Sequence, residues 1–308
     1  MSRIKFGVMM RQQKIDFAQI RETAELCDLL DYHSVWFYDH ILGMGAIEMD
    51  IYEAWTSMAA LLSTTEKLRV GTMVLCNSFR PPALLAKMAS TLDVISDGRV
   101  EFAMGAGWFE SEYKAYGYEF PDTKTRIEQM AEAVQIIRAM WTEEKPSFEG
   151  NHYSINEAYC NPKPVQNPMP IMIGGAGEKY LLRAVAELAD EWNCPANHAM
   201  AYDHKLDVLK RHCSDLGRDI NDIAISQQTV CVIAKDEAEL EEKLQKGQRR
   251  YGFFGDISKF GIVGTPDQCI EKILENEKKG ITKYTIFFSD IMNQDTLKFF
   301  AKEVMSAF

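Results

Sequence analysis

The chain lacks the cysteine and histidine patterns that build disulfide frameworks or metal centres. Its seven cysteines are widely spaced and form no Cys-x-x-Cys pair, whereas disulfide-rich domains and zinc sites need even numbers or close spacing. We therefore expect reduced and mostly buried thiols. The six histidines show no spacing to one another or to carboxylates that a metal ion would require, so no metal site is predicted.

The chain also has no excess of positive charge and no long hydrophobic run. The formal net charge is −11 and the Lys and Arg residues are scattered, which disfavours binding to nucleic acid or to anionic lipid. No apolar stretch reaches the roughly 18 residues of a membrane span. The stretch before Arg11 is too short for a signal peptide. We expect a cytoplasmic protein that acts on a small molecule.

Short apolar runs alternate along the chain with longer segments of helical period, a pattern typical of repeated βα units. The predicted strands are residues 4–10, 34–38, 68–76, 100–105, 171–174, 191–194, 223–233 and 284–288. The predicted helices are residues 17–31, 52–63, 82–95, 123–141, 179–188, 202–216, 236–246 and 266–279.

Eight strands, each followed by a helix, predict a single (β/α)8 TIM barrel over residues 1–308, because closing such a barrel takes about 250 residues. An open doubly wound sheet is the structural alternative. Residues 143–170 interrupt the alternation with a predicted hairpin at Gly150-Asn151 and a proline-rich run. We interpret them as an insertion between the helix of strand four and strand five.

The composition of two further segments, residues 248–264 and 52–63, predicts how they pack. Residues 248–264 contain four glycines among aromatic residues, which fits either a mobile lid or an irregular surface loop. The helix predicted at 52–63 is apolar on too many sides to be half-solvated. Either a homodimer interface or the inserted segment is expected to cover it.

Candidate catalytic residues follow the second predicted strand, which ends in Asp39-His40. In a TIM barrel the strand ends converge on one open mouth, where active sites lie. The His40 ring can give or receive a proton near neutral pH, which makes it the best catalytic candidate. Asp39 either holds the tautomer of His40 or stabilises the local backbone, and a structural role for the whole Asp-His pair is the alternative that the residues alone leave open.

Glycine-rich backbone at three other strand ends predicts a ligand site. The third strand continues through Met73, Val74 and Asn77, where a flat ring could rest against the chain. Gly105 and Gly107 after strand four either allow close backbone approach to a ligand or form a tight strand-to-helix turn. Gly174-Gly175-Ala176-Gly177 precedes a helix and would offer backbone N–H groups to a phosphate, with a simple helix cap as the alternative.

Nine short motifs occur in one order along nearly the whole chain. They are Ser34-Val35-Trp36-Phe37-Tyr38-Asp39-His40, Glu53-Ala54-Trp55, Gly71-Thr72, Arg80-x-Pro82, Thr91-Leu92-Asp93-x-x-Ser96-x-Gly98-Arg99, Gly105-Ala106-Gly107-Trp108, Pro162-Lys163-Pro164-Val165-Gln166, Gly174-Gly175 and Val263-Gly264-Thr265-Pro266. The ordered set closely resembles the luciferase-like monooxygenase superfamily, and within it the F420-dependent oxidoreductases.

This resemblance implies hydride transfer between the deazaflavin coenzyme F420 and a small organic substrate. Asp39 and His40 would lie beside the deazaflavin, and a non-prolyl cis peptide at Met73-Val74 would support one face of its ring. Residues 174–177 would hold the cofactor phosphate. The kinship also implies a homodimer.

One departure and three rival functions stay open. The F420-dependent sugar-phosphate dehydrogenases carry a glutamate near the position of Trp108, so their acid and substrate cannot be transferred, and Glu110 or Glu112 is left as a substitute. An FMN-dependent monooxygenase is the nearest rival, followed by a non-catalytic flavin-binding barrel. A sugar-phosphate isomerase or aldolase would need a Lys or Glu base at a strand end, and none is evident.

Overall fold

The computed structural model describes residues 4–290 and 292–308. Its strands are β1 (Lys5–Met9), β2 (Ser34–Phe37), β3 (Arg69–Thr72), β4 (Leu75–Cys76), β5 (Val100–Gly105), β6 (Phe148–Glu149), β7 (Ser154–Ile155), β8 (Ile171–Gly174), β9 (Glu191–Cys194), β10 (Ala224–Ile233), β11 (Ile262–Gly264) and β12 (Ile281–Phe288).

The principal sheet closes into a barrel. Eight parallel strands follow one another in the order β1, β2, β3, β5, β8, β9, β10 and β12, and β12 pairs with β1 to complete the ring. All eight predicted strands are present at these positions. The predicted (β/α)8 barrel is therefore confirmed, and the alternative of an open sheet is excluded.

Helices surround the barrel and cover its outer surface. They are α1 (Phe17–Leu29), α2 (Ala54–Leu62), α3 (Pro82–Ile95), α4 (Glu110–Tyr116), α5 (Thr123–Thr142), α6 (Leu181–Leu188), α7 (Tyr202–Leu216), α8 (Glu237–Tyr251), α9 (Ile257–Phe260), α10 (Pro266–Lys278) and α11 (Gln294–Glu303). The pattern of the sequence did not predict α4, α9 or α11. No helix among the described residues is long and apolar enough to cross a membrane.

The hydrophobic core of the described residues has one large layer and two smaller clusters. The large layer lies between the outward faces of the strands and the helices. A smaller cluster, formed by Met9, Trp36, Ala103 and Met172, is packed with Tyr38, Met73, Val74 and Phe287. All seven cysteines are buried free thiols, as their spacing predicted.

The third predicted strand is divided in two. β3 pairs with β2 and β5, and β4 pairs with β5 alone. The interruption falls at Met73-Val74, and the peptide bond between these residues is cis. The cis bond that the resemblance implies is confirmed.

The hairpin predicted at Gly150-Asn151 is confirmed, because β6 and β7 pair antiparallel around it. The segment 248–264 is more regular than predicted, since α8 extends to Tyr251 and β11 pairs in parallel with β10. Its aromatic residues explain this order, because Tyr251 and Phe254 pack against Phe287.

The outer face of α2 borders an open apolar groove of about 280 Å³ whose lining includes Trp55, Ala59, Met88 and Ile95. The inserted segment contacts α3 instead, at Lys87, Ser90 and Asp93. The homodimer interface stays a prediction.

A network of charged side chains lies at the end of the barrel opposite the mouth. Lys283 is 6% exposed, and its Nζ lies 2.6 Å from Glu101 Oε2 and 3.0 Å from Glu191 Oε2. Glu101 also accepts from Arg69 Nε at 2.5 Å and contacts His33 Nε2 at 3.2 Å. The network joins four barrel strands and the residue that precedes β2.

The charges of this network shift one another's pKa values. Burial alone would raise the pKa of Glu101, but Lys283, His33 and Arg69 hold it well below its ordinary value. Burial alone would lower the pKa of Lys283, but Glu101 and Glu191 raise it. The carboxylate of Glu101 and the ammonium of Lys283 therefore stabilise each other in the folded chain.

Replacing Glu101 by Gln should lower the free energy of unfolding at neutral pH by about 3 kcal/mol, because a buried ion pair loses one partner. The stability that the ionised carboxylate contributes is present above its unfolded pKa near 4.5 and is lost as pH falls through the lower folded pKa. Urea titrations at several pH values should show that the free energy of unfolding falls more steeply with decreasing pH in the wild type than in Glu101→Gln. Equal slopes would contradict the assignment, and the exposed Glu128→Gln is the control.

Candidate active site at the mouth of the barrel

Asp39, at the end of β2, is held by charge-assisted hydrogen bonds. It is 4% exposed, and its two oxygens accept from Arg80 Nη1 at 2.8 Å and Nη2 at 3.0 Å. The backbone N–H of Cys76 donates to the same carboxylate at 2.8 Å. Asp39 therefore fixes the backbone that follows the cis bond. A catalytic role for Asp39 stays a prediction.

Arg80 also links Asp39 to Glu53, at the start of α2. Its Nη2 donates to Glu53 Oε1 at 2.5 Å, and Glu53 caps α2 by accepting from the amides of Trp55 and Thr56. Burial alone would lower the pKa of Arg80, but Asp39 and Glu53 raise it above its ordinary value. No pattern in the sequence predicted this role, since the partners of Arg80 are 41 and 27 residues away.

His40, the next residue, is anchored by Glu112 of α4. The Nδ1 of His40 lies 2.9 Å from Glu112 Oε2, and Glu112 Oε1 accepts from the backbone amides of Ile41 and Leu42 at 2.7 and 2.9 Å. Glu112 is 1% exposed. The sequence left the side-chain directions of Glu110 and Glu112 undetermined. In the structure Glu110 is exposed and pairs with Lys114.

Aromatic rings surround the His40 side chain, which is 14% exposed. Trp108 and Phe109 meet it edge-on, with ring centroids at 5.5 and 5.9 Å, and Tyr38 lies at 5.9 Å. Trp108 is itself 62% exposed. The imidazole thus lies in an apolar wall near the surface of the mouth.

The glycines at the ends of β5 and β8 make room for Val74. A Cβ atom on Gly105 would overlap Val74 Cγ2, and one on Gly174 would lie 2.7 Å from Val74 Cγ1. Val74 therefore packs across the ends of both strands. Glycine at these positions has a packing reason, and contact of Gly105 and Gly174 with a cofactor stays a prediction.

Two other predicted glycines also face side chains of the protein. Gly107 has φ +74° and lies against Tyr113 Oη, and Gly175 has φ +133° and lies against Leu181. Gly177 is open, since a Cβ there would meet only Leu181 Cβ at an ordinary 3.6 Å. In the described part of the chain, no hydrogen bond uses the amide N–H of Ala176 or Gly177.

Asn77, also predicted to contact the cofactor, is 2% exposed. Its Nδ2 donates to Tyr153 Oη at 3.2 Å. Tyr153 belongs to the hairpin of the inserted segment, which therefore reaches the predicted cofactor wall. Nothing in the sequence of the inserted segment predicted this contact.

Basic side chains gather next to residues 174–177. Glu178 Oε1 accepts from Lys205 Nζ at 2.6 Å and contacts His204 Nε2 at 3.1 Å. The Lys179 ammonium lies over the Tyr180 ring. Lys205, followed by His204, lowers the pKa of Glu178 despite some desolvation.

An open concavity of about 600 Å³ lies elsewhere on the rim. It is polar and does not include His40. Its lining residues are Lys14, Ile15, Asp16, Gln19, Asp50, Ile51 and Tyr52.

Comparison with known proteins places the chain in a family. Residues 1–258 match the luciferase-like monooxygenase family, and the chain belongs to that family. An F420-dependent glucose-6-phosphate dehydrogenase of Amycolatopsis mediterranei is 28% identical over 205 residues, covering 66% of this chain and 61% of that protein. An FMNH(2)-dependent dimethylsulfone monooxygenase of Pseudomonas putida is 23% identical over 286 residues, covering 82% and 78%.

Solved structures share the fold over the whole length. An F420-dependent secondary alcohol dehydrogenase in complex with an F420-acetone adduct superposes with a TM-score of 0.83 at 20% identity, covering 100% of both chains. The monooxygenase RslO1 from Streptomyces bottropensis gives a TM-score of 0.81 at 21% identity, covering 99% of both chains. These likenesses establish the barrel fold.

Replacing Gly105 by Ala should destabilise the protein by about 1–3 kcal/mol, because the added methyl overlaps the Val74 side chain in a packed wall. The double variant Gly105→Ala with Val74→Ala should lose less stability than the two single changes predict together, since Val74 Cβ lies 3.7 Å from the new Cβ. Chemical denaturation measures this coupling. Gly177→Ala is the matched control, and strict additivity would contradict the packing assignment.

Proposed function

We propose that the chain is an F420-dependent oxidoreductase that transfers a hydride between the deazaflavin and a small organic substrate. The observation that carries the proposal is the placement of His40 at the mouth. Its Nδ1 is anchored by Glu112, and no described residue forms a hydrogen bond with its Nε2. The Val74 wall, packed against Gly105 and Gly174, borders the same mouth.

The residues at the mouth fit a phosphorylated tricyclic cofactor. Met73 and Val74 offer an apolar surface suited to one face of a flat ring. The amides of Ala176 and Gly177 precede α6, where backbone N–H groups bind phosphate oxygens. Lys179 and Lys205 lie next to this segment and suit the acidic glutamyl tail of F420.

When bound, the deazaflavin supplies hydride chemistry. The protein's own residues then orient the reactants and handle the proton. His40 Nε2 is the atom that would exchange a proton with the substrate. Trp108 and Phe109 shield the imidazole from water on one side.

FMN is the alternative cofactor, and one comparison favours it. The FMNH(2)-dependent relative matches 82% of this chain, whereas the F420-dependent dehydrogenase matches 66%. Trp108 also replaces the glutamate expected from the sugar-phosphate dehydrogenases. A monooxygenase would use the same wall and phosphate segment but would consume oxygen.

Titration of the purified protein with F420 and with FMN should separate the two cofactors. We expect F420 to bind at least ten times more tightly, because the basic residues beside Glu178 complement its acidic tail. Cofactor fluorescence measures both dissociation constants. Tighter binding of FMN would transfer the assignment to the monooxygenase, and binding of neither would contradict a redox function.

His40→Ala should reduce turnover by roughly 10²-fold or more, the usual contribution of a positioned acid or base. F420 affinity should stay within a factor of about ten, because wall and phosphate contacts are unchanged. The assay follows F420 absorbance with a panel of small alcohols and carbonyl compounds. His152→Ala, in the hairpin near Glu128, is the control. Unchanged turnover in His40→Ala would remove His40 from the mechanism.

A further inference from the structure

We propose that Glu112 is the positioning residue of His40 and sets its tautomer. In this assignment the imidazole carries its proton on Nδ1 and presents Nε2 to the mouth as a hydrogen-bond acceptor. The assignment of the tautomer depends only on the contacts of these two residues. Its consequence for turnover rests on the proposed function.

The two oxygens of Glu112 have different partners. Oε1 accepts two backbone N–H groups, from Ile41 at 2.7 Å and Leu42 at 2.9 Å. These amides can only donate, so Oε1 must be an acceptor. Oε2 is left for His40 Nδ1 at 2.9 Å, and since a carboxylate only accepts, Nδ1 must donate.

Other groups around the ring do not compete for Nδ1. The nearby side chains of Tyr38, Trp108 and Phe109 contact His40 through their rings. The neighbouring Asp39 is engaged by Arg80 and by the amide of Cys76. Among the described residues, Glu112 is therefore the one that determines which ring nitrogen holds the proton of the neutral imidazole.

The same geometry predicts that a near-isosteric change will reverse the tautomer. In Glu112→Gln, the amides of Ile41 and Leu42 still require an oxygen, so the side-chain carbonyl must take the place of Oε1. The NH2 group then faces His40 Nδ1 and donates to it. We expect His40 to become protonated on Nε2, with the backbone of residues 40–42 held as before.

Two-bond proton–nitrogen NMR spectra of ¹⁵N-labelled protein, in mildly alkaline buffer, distinguish the two tautomers. The signal of His40 is assigned by its loss in His40→Asn. We expect the Nδ1–H form in the wild type and the Nε2–H form in Glu112→Gln. Glu110→Gln is the matched control, because Glu110 lies one half-turn away on α4 and pairs with Lys114 instead of His40.

Turnover supplies a second readout. If the proposed function holds, Glu112→Gln should lower kcat by about 10²-fold, since the nitrogen at the mouth no longer accepts a proton. KM and F420 affinity should change by less than about threefold, because no binding contact is lost. Circular dichroism and thermal unfolding show whether the variant is folded.

An Nε2–H tautomer in the wild type would overturn the proposal, and so would an Nδ1–H tautomer in folded Glu112→Gln. If that variant does not fold, the wild-type spectrum alone decides. The expected tautomers without any F420 turnover would support the role of Glu112 while contradicting the proposed function. The two failures are thereby distinguishable.

Discussion

The buried pair of Asp39 and Arg80 is the contact on which the geometry of the mouth depends. Removing two charges from water is costly, and only near-complete hydrogen bonding offsets that cost. Here the guanidinium binds both carboxylate oxygens, and Cys76 N–H adds a third donor. Because these groups belong to separate segments, their pairing fixes the end of β2 against β4 and, through Glu53, the start of α2.

Val74 likewise fixes strand ends at the mouth, through packing instead of charge. Its side chain occupies the space that a Cβ on Gly105 or Gly174 would need, so three strand ends are packed against one another. Gly105 and Gly174, which the sequence analysis predicted to approach a ligand, therefore have a packing role within the protein. Gly177 differs, since it has open space around it, and it keeps the ligand-binding interpretation without a competing structural reason.

The sequence predicted the eight barrel strands because near-continuous apolar runs are a strong signal of buried parallel strands. It also predicted the cis bond at Met73-Val74, through the family resemblance. The anchoring of His40 could not be predicted. Glu112 lies on the seven-residue α4, which is too short for a periodic signal, and the distance of 72 residues from His40 leaves no local pattern. Arg80 was missed for the same reason, since only the folded chain brings it to Asp39.

The two ends of the barrel use charge differently. At the lower end, Lys283 and Arg69 both pair with Glu101, which stabilises the fold. At the mouth, Asp39 and Glu112 are also engaged in hydrogen bonds, but no described residue forms a hydrogen bond with His40 Nε2. Among the described residues at the mouth, His40 Nε2 and the amides of Ala176 and Gly177 form no hydrogen bond within the protein, so the proposed cofactor and substrate would meet an imidazole and free backbone amides there.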